Sequence, residues 1–410
     1  MTMSEDAQRA VAAAFDPNRL DAAFYENPYP VYAALRSFDP VHRCPDGSYF
    51  LSRYADLDRI YRDRTAFSSD KKQAFAPKFG VGSPLYEHHT TSLVFNDPPL
   101  HTRVRKLMMG ALNQRAIARM EQSVATLVER LLDDMANNSA PDLVEDFAAR
   151  IPVEVIGNLL VVPHAQRGPL RGWSLAILSA LEPIPSPEIL DRGNRAVSAF
   201  LDYLRGVVAE RRAHPGNIES DVLTRLIQGE VDGERLSEIE LLHNCIFLLN
   251  AGHETTTNLI GNGMHALLTH RDQLERLRAD PGLTASAVEE LLRFESPVQL
   301  NNRVTTGTMD LAGRGVAPGT FVTLGVGAAN RDPAQFPDPD RLDIARKPNR
   351  HVAFGHGDHA CAGMNVARLE ARIAIGALLA RFAKIELADT PERDRRIRFR
   401  GFKRIPVRLT

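Results

Sequence analysis

Tryptophan occurs once in the 410 residues and cysteine three times, at Cys44, Cys245 and Cys361. Three scattered cysteines without a CxxC pair exclude a disulfide framework and predict a reducing compartment, the cytoplasm. An excess of either charge is missing too. The 50 Lys and Arg against 51 Asp and Glu leave a net charge of −1, which excludes the basic footprint of a nucleic-acid binder. No apolar run reaches the ~18 residues a membrane-spanning helix needs. The first twenty residues carry Glu5, Asp6 and Asp16, where a secretory signal would place basic residues before a long apolar stretch. Internal repeats and low-complexity linkers are lacking as well, so residues 1–410 are expected to form a single domain. What is present is 44% hydrophobic and 25% charged, an ordinary composition for a soluble chain with a large core.

The periodicity predicts a mainly α fold with a minor β region. From Leu100 to about Gly282 apolar residues recur every three or four positions, as in MEQSVATLVERLLDDMA. The cluster Pro183, Pro185 and Pro187 interrupts that pattern and marks a connection between helices. Residues 304–324 read as β-structure punctuated by Gly313, Gly315 and Pro318-Gly319, and residues 48–52 as a short strand. The Gly- and Pro-rich stretch from Ser68 to Pro99 is expected to be one long loop.

Between Ser237 and His270 a helical pattern runs for over thirty residues without proline, on the order of 50 Å. Its middle, Ala251-Gly252-His253-Glu254-Thr255-Thr256, is rich in poor helix formers. Small residues there would let a flat ligand lie against the backbone, and a carboxylate beside a hydroxyl could relay protons. Downstream, Glu290 and Arg293 stand three apart on a helix and can pair; Arg303 follows in an extended segment.

The most informative segment is His351-Val352-Ala353-Phe354-Gly355-His356-Gly357-Asp358-His359-Ala360-Cys361-Ala362-Gly363, followed by the amphipathic MNVARLEARIAIGALLARF. Glycines permit a tight turn, and a cysteine before a helix N-terminus is favoured as a thiolate, a good axial metal ligand.

The run F-G-x-G-x-H-x-C-x-G from Phe354 to Gly363 resembles the haem-binding signature of the cytochrome P450 family. Ala251-Gly252-His253-Glu254-Thr255-Thr256 resembles that family's oxygen-activating helix motif, Glu290-x-x-Arg293 its ExxR motif, and Pro28-Tyr29-Pro30 with Asp97–Arg105 its bacterial members. The resemblance implies an α-rich triangular prism with a long central helix over the haem. It implies haem b, with Cys361 as the iron's axial ligand and Phe354 and Gly363 against it. His101, Arg105, Arg303 and His359 would hold the propionates, Glu254 and Thr255 would deliver protons, and Glu290 with Arg293 would brace the cysteine loop.

A monooxygenase of this kind consumes O2 and receives NAD(P)H electrons indirectly. No flavin or iron–sulfur signature accompanies the haem motifs, so a separate ferredoxin and ferredoxin reductase are expected, docking near Arg346, Lys347, Arg350 and Arg368 on a monomeric, membrane-free cytoplasmic enzyme. By the same resemblance the substrate pocket draws on His89, Ser92, Leu93, Val94, Leu178, Leu181, Phe247, Ala251, Val298, Gln299, Leu300 and Phe402. His89 and Ser92 suit a carboxylate or phenol, which points to a small aromatic acid. Two other classes are open: a metal-dependent hydrolase using His351, His356, Asp358, His359 and Cys361, and a non-catalytic haem-thiolate sensor or carrier. The glycine positions and the Glu254-Thr255 pair argue against both.

Overall fold

The computed structural model describes residues 3–218, 221–231 and 233–410. It is mainly α with a minor β region, an α-rich prism built around one long helix. Ten of the α-helices frame the site: α1 (Lys72–Phe79), α2 (Pro84–Thr91), α3 (Leu100–Ala111), α4 (Gln114–Ala136), α5 (Arg150–Leu159), α6 (Gly168–Ser179), α7 (Pro187–Ala213), α8 (Glu238–Thr269), α9 (Thr284–Phe294) and α10 (Met364–Arg381).

The central helix α8 is 32 residues long and is started by a full capping box: Ser237 Oγ accepts the Glu240 N–H, and the Glu240 carboxylate accepts the Ser237 N–H. With Leu241, Ile246, Leu249, Leu259, Ile260 and Met264 all buried, α8 is apolar on most sides. Helices α5, α6, α7, α9 and α10 pack around it, which is how a helix without one polar face is stabilised. Among the described residues no helix is long and apolar enough to cross a membrane.

The long loop expected between Ser68 and Pro99 is instead mostly helical, comprising α1, α2 and a turn of 3-10 helix at Leu93–Phe95. Gly80 and Gly82, both at positive φ, separate the two α-helices, and Ser83 caps α2 with Pro84 in its first turn. Phe75, Phe79 and Leu85 bury these short segments in the main core; tertiary packing supplies what their length does not.

β-structure also extends beyond residues 304–324. A five-stranded sheet has the order β1 (Val41–Arg43), β2 (Tyr49–Leu51), β7 (Phe321–Gly325), β4 (Leu300–Thr305) and β3 (Phe67–Ser68). Strand β2 runs parallel to β7 with Tyr49 opposite Val322, and β4 runs antiparallel to β7 with Arg303 opposite Val322. The hairpin β5 (Met309–Asp310) and β6 (Gly315–Val316) lies between β4 and β7. The C-terminal pairs are β8 (Ile385–Leu387) with β11 (Val407–Leu409) and β9 (Glu392–Arg393) with β10 (Phe402–Arg404). An isolated antiparallel bridge joins Val298 to Phe399 and sets the C-terminal segment beside the start of β4.

Candidate active site

The cysteine loop is anchored from behind by a buried ion pair. Glu290 and Arg293, both 0% exposed, meet at 2.8 Å in bidentate fashion. Arg293 also donates to the carbonyls of Asn330, Pro339 and Arg341, and Glu290 accepts from the Asp343 N–H, Asn349 Nδ2 and Arg346 Nε. The pair therefore ties α9 to the segment leading into the loop. Within the loop Gly357 sits at φ +69°, and a Cβ there would lie 2.3 Å from the Tyr61 carbonyl oxygen, so both conformation and space demand glycine. The Cys361 N–H donates to the Phe354 carbonyl at 2.8 Å, closing a turn ahead of α10.

Cys361, Phe354, His359 and Gly363 line a cavity together with Arg303 of β4, Thr255, Ala251 and Phe247 of α8, Val298, His89 and Ser92. Burial pushes the Cys361 thiol above its ordinary value, opposed by a Gly363 backbone hydrogen bond and by Arg105 and Arg368. A metal ion bound there would displace that proton outright.

Beside the cysteine lies a set of basic side chains, His101 and Lys71 among them buried. His359 stacks on His101 of α3 with ring centroids 4.0 Å apart. Lys71 Nζ and both ring nitrogens of His101 are buried without a hydrogen-bond partner. Burial, Arg303 and Arg398 push Lys71 well below its ordinary value; burial, Arg303, His101, Arg105 and Lys71 push His359 down to about 2. Basic groups that suppress one another's charge, beside the guanidiniums of Arg105 and Arg303, call for an anionic ligand. A haem fits this donor set: a soft sulfur for iron, flanked by cations for two propionates, with open space where a Gly363 Cβ would project. Lys71 was not foreseen, since a lysine in a polar run carries no sequence signal of burial.

Glu254 and Thr255 do not share a cavity. Thr255 faces the cysteine and its Oγ1 donates to the Ala251 carbonyl at 2.7 Å. Glu254 faces a second cavity of about 910 Å³, where it pairs with Arg396 and accepts from Asn258 Nδ2 at 3.0 Å. The reason is helical geometry: consecutive side chains point about 100° apart. His253 lines the second cavity as well, and burial pushes it down to about 3. Gly252 lines the cysteine cavity beside Ala251, as the small-residue run suggests, and serves a second end too. A Cβ there would meet Ile156 Cδ1 at 2.0 Å, so glycine is needed for the close approach of α5 to α8.

Four expected wall residues lie elsewhere. Leu93 is a core side chain whose N–H donates to Asn244 Oδ1 at 2.9 Å, which leaves Val94 and Phe95 on the wall. Gln299 is buried, its Nε2 donating to the Ser296 carbonyl at 2.8 Å. Leu300 is buried in a separate cluster around Phe15 and Phe50. Phe402, held on β10 by His265 and Arg393, lines the second cavity; Phe399, beside Val298, takes the expected place. Leu178 and Leu181 are on the wall, and so are Ile156, Asn250, Asn301, Glu370 and Arg398, which sequence reasoning missed. Burial pushes the Glu370 carboxyl up to about 8.

Two of the four expected docking cations are engaged inside the protein: Arg346 with Glu290, and Arg368 with Glu289 at 2.7 Å; Lys347 and Arg350 are exposed. The loop's other polar side chains diverge rather than forming a metal cluster. His351 turns to Glu289, His356 to Asp58, Asp358 to Arg64 and His359 to His101. Among the described residues no three His, Cys, Asp or Glu side chains come together around a common point, which removes the basis of the hydrolase reading.

A family model described as Cytochrome P450 matches residues 174–281 and 282–408. The chain is 39% identical over 405 residues to Cytochrome P450 107B1 of Saccharopolyspora erythraea, covering 95% of this chain and 96% of the relative. It is also 39% identical over 395 residues to the Vitamin D(3) 25-hydroxylase of Pseudonocardia autotrophica, covering 94% of each. The fold matches the crystal structure of P450BioI in complex with hexadec-9Z-enoic acid ligated acyl carrier protein, with a TM-score of 0.89 at 33% identity, over 95% of this chain and 100% of that one.

Proposed function

The chain belongs to the cytochrome P450 family and is a haem-dependent monooxygenase, and from that premise we propose that it inserts one oxygen atom of O2 into a small, largely apolar organic acid by hydroxylation or O-dealkylation. The haem is iron protoporphyrin IX. Electrons come from NAD(P)H through a ferredoxin reductase and a ferredoxin that docks near the exposed Lys347 and Arg350 on the cysteine side. Residues 1–410 act as one haem domain, monomeric and cytoplasmic.

The observation that carries this reading is the shared cavity: Cys361, Arg303, His359, the Thr255 hydroxyl and an apolar wall face one space, with His101 packed on His359 and Lys71 buried without a partner. When bound, the haem supplies oxygen activation, with thiolate ligation favouring O–O cleavage. The chain's own residues do the rest. Cys361 Sγ holds the iron, and Phe354 on the same wall keeps water from the sulfur. Lys71, His101, Arg105, Arg303 and His359 neutralise the propionates. Thr255 Oγ1, its donor engaged by the Ala251 carbonyl, presents its lone pairs to the cavity and orients a proton there. The Glu254 carboxylate, gripped by Arg396 and accepting from Asn258 Nδ2, faces the second cavity as the acid–base group on that side of α8. Phe247, Val298, Leu178 and Leu181 bury the apolar body of the substrate, and Ala251 leaves it room against α8.

The test is spectroscopic. Reduced protein exposed to carbon monoxide is expected to show the red-shifted absorption of thiolate-ligated haem. With ferredoxin, reductase and NAD(P)H it is expected to consume O2 in proportion to an added benzoate-type acid. A haem protein without the red-shifted band, or one with the band that turns over no member of a chemically varied substrate set, would refute the proposal.

A further inference from the structure

Arg398 lies on the C-terminal segment between β9 and β10, and its side chain faces the cavity that holds Cys361 and Thr255. Its backbone is fixed from both sides. The Gln299 N–H donates to the Arg398 carbonyl at 2.8 Å, while Glu182 Oε2 accepts the N–H of Ile397 at 3.0 Å and of Arg398 at 3.4 Å. The guanidinium is only partly satisfied. Nη2 donates to Asn302 Oδ1, Nη1 stands 3.4 Å from the Leu300 carbonyl, and Nε is buried without a partner.

The charges around it do not cancel. Lys78 of α1 sits close by, its Nζ donating to the Glu182 carbonyl oxygen at 2.5 Å. Burial and Arg398 push Lys78 down to about 7, and burial, Lys78 and Arg398 push His89 down to about 3, leaving its imidazole neutral. Glu182 is the carboxylate facing Arg398 and Lys78, and it is shared with Arg396. Arg398 and Lys78 therefore share a single carboxylate on which Arg396 also draws, beside an apolar stretch of wall built from Val94, Phe95, Leu181, Val298 and Phe399. An uncompensated cation in apolar surroundings is costly, and a monoanion placed against it removes that cost. The propionates of a bound haem would have their own partners in Lys71, His101, Arg105, Arg303 and His359.

We infer that Arg398 is the anchor for the carboxylate of an otherwise apolar substrate, whose body extends along Phe399, Val298 and Leu181 within the Cys361 cavity. This deepens the monooxygenase reading and rests on it. It also moves the acid-binding group from the place the sequence suggested: His89 and Ser92 line the same wall as neutral hydrogen-bonding groups, and the charge comes from the C-terminal segment.

The test uses the haem-loaded protein and two acids, benzoic and lauric, each with its methyl ester, titrated by the low-to-high-spin change in haem absorption. At least one acid is expected to bind about tenfold or more tightly than its ester, as for a hydrogen-bonded charge pair. Arg398→Gln is expected to abolish that margin while leaving ester binding and haem content unchanged, and Arg398→Lys to restore part of it. Equal affinity of acid and ester in the parent protein, or an equal loss for both in Arg398→Gln, would overturn the inference. So would loss of haem from Arg398→Gln, which would make it a propionate partner. Failure of the parent protein to give the red-shifted carbon monoxide band would instead overturn the haem-thiolate reading itself.

Discussion

Thr255 and Glu254 are adjacent in sequence but serve opposite walls of the same helix. Replacing Thr255 by Ala removes a hydroxyl from the cysteine cavity but leaves Thr256 and Ser92 on its wall and the Glu254–Arg396 pair untouched. Thr255→Ala is therefore expected to load haem and bind substrate normally, but to divert most NAD(P)H electrons into hydrogen peroxide. The check is the ratio of product to NAD(P)H consumed, and an unchanged ratio would remove Thr255 from the proton path. The types of residue at this site were legible because cysteine, glycine and a helix-interior Glu-Thr are unusual where they stand. Their directions were not. A one-residue step on a helix turns a side chain by about 100°, enough to carry Glu254 into the second cavity while Thr255 stays in the first. Phe402 was misassigned for a related reason: strand pairing places Phe399, three residues earlier, beside Val298.

At the scale of elements, the connection between α9 and the cysteine loop runs through one buried carboxylate. Glu290 meets Arg293, Arg346, Asn349 and the Asp343 N–H. Glu290→Ala would strand Arg293 in a fully buried position, and breaking such a pair costs about 3–5 kcal/mol. The expected result is a lower denaturation midpoint together with weakened haem retention, both measurable on the purified variant. A midpoint within error of the parent would refute the bracing role. The long helix was legible from an unbroken pattern and a Ser-x-x-Glu start. α1 and α2 were not, because Pro77, Gly80, Gly82 and Pro84 dominate their local signal. Contacts with distant parts of the chain, together with the Ser83 cap of α2, hold them helical.

Over the whole molecule, a net charge of −1 conceals a set of buried, uncharged histidines. Burial foremost pushes His89 and His253 down to about 3, and His243 and His265 down to about 4, from the ordinary 6.5. Each folded value is depressed, so the unfolded chain takes up protons first as pH falls. The contribution of these groups is complete above pH 6.5 and is lost progressively toward pH 4 and 3. Glu295 adds a second loss between about 4.5 and 2: burial raises its value, but Arg400, Arg393 and Arg331 together bring it down to about 2. Thermal melts are expected to fall from pH 6.5 downward, with a shallower slope in a His243→Gln/His265→Gln variant; an identical slope would contradict the assignment. Family and cofactor were legible at this scale because three motifs lie along the chain in a fixed order. The wall opposite Cys361 was legible in part: eight of the twelve expected residues, from His89 to Val298, line it, while Arg398, Glu370 and Phe399 come from segments that no motif marks. The partition formed by α8 has one more consequence. Because Glu254 opens on one side and Thr255 on the other, a guest that fills the cysteine chamber completely leaves the Glu254 carboxylate and its Arg396 partner facing open space across the helix.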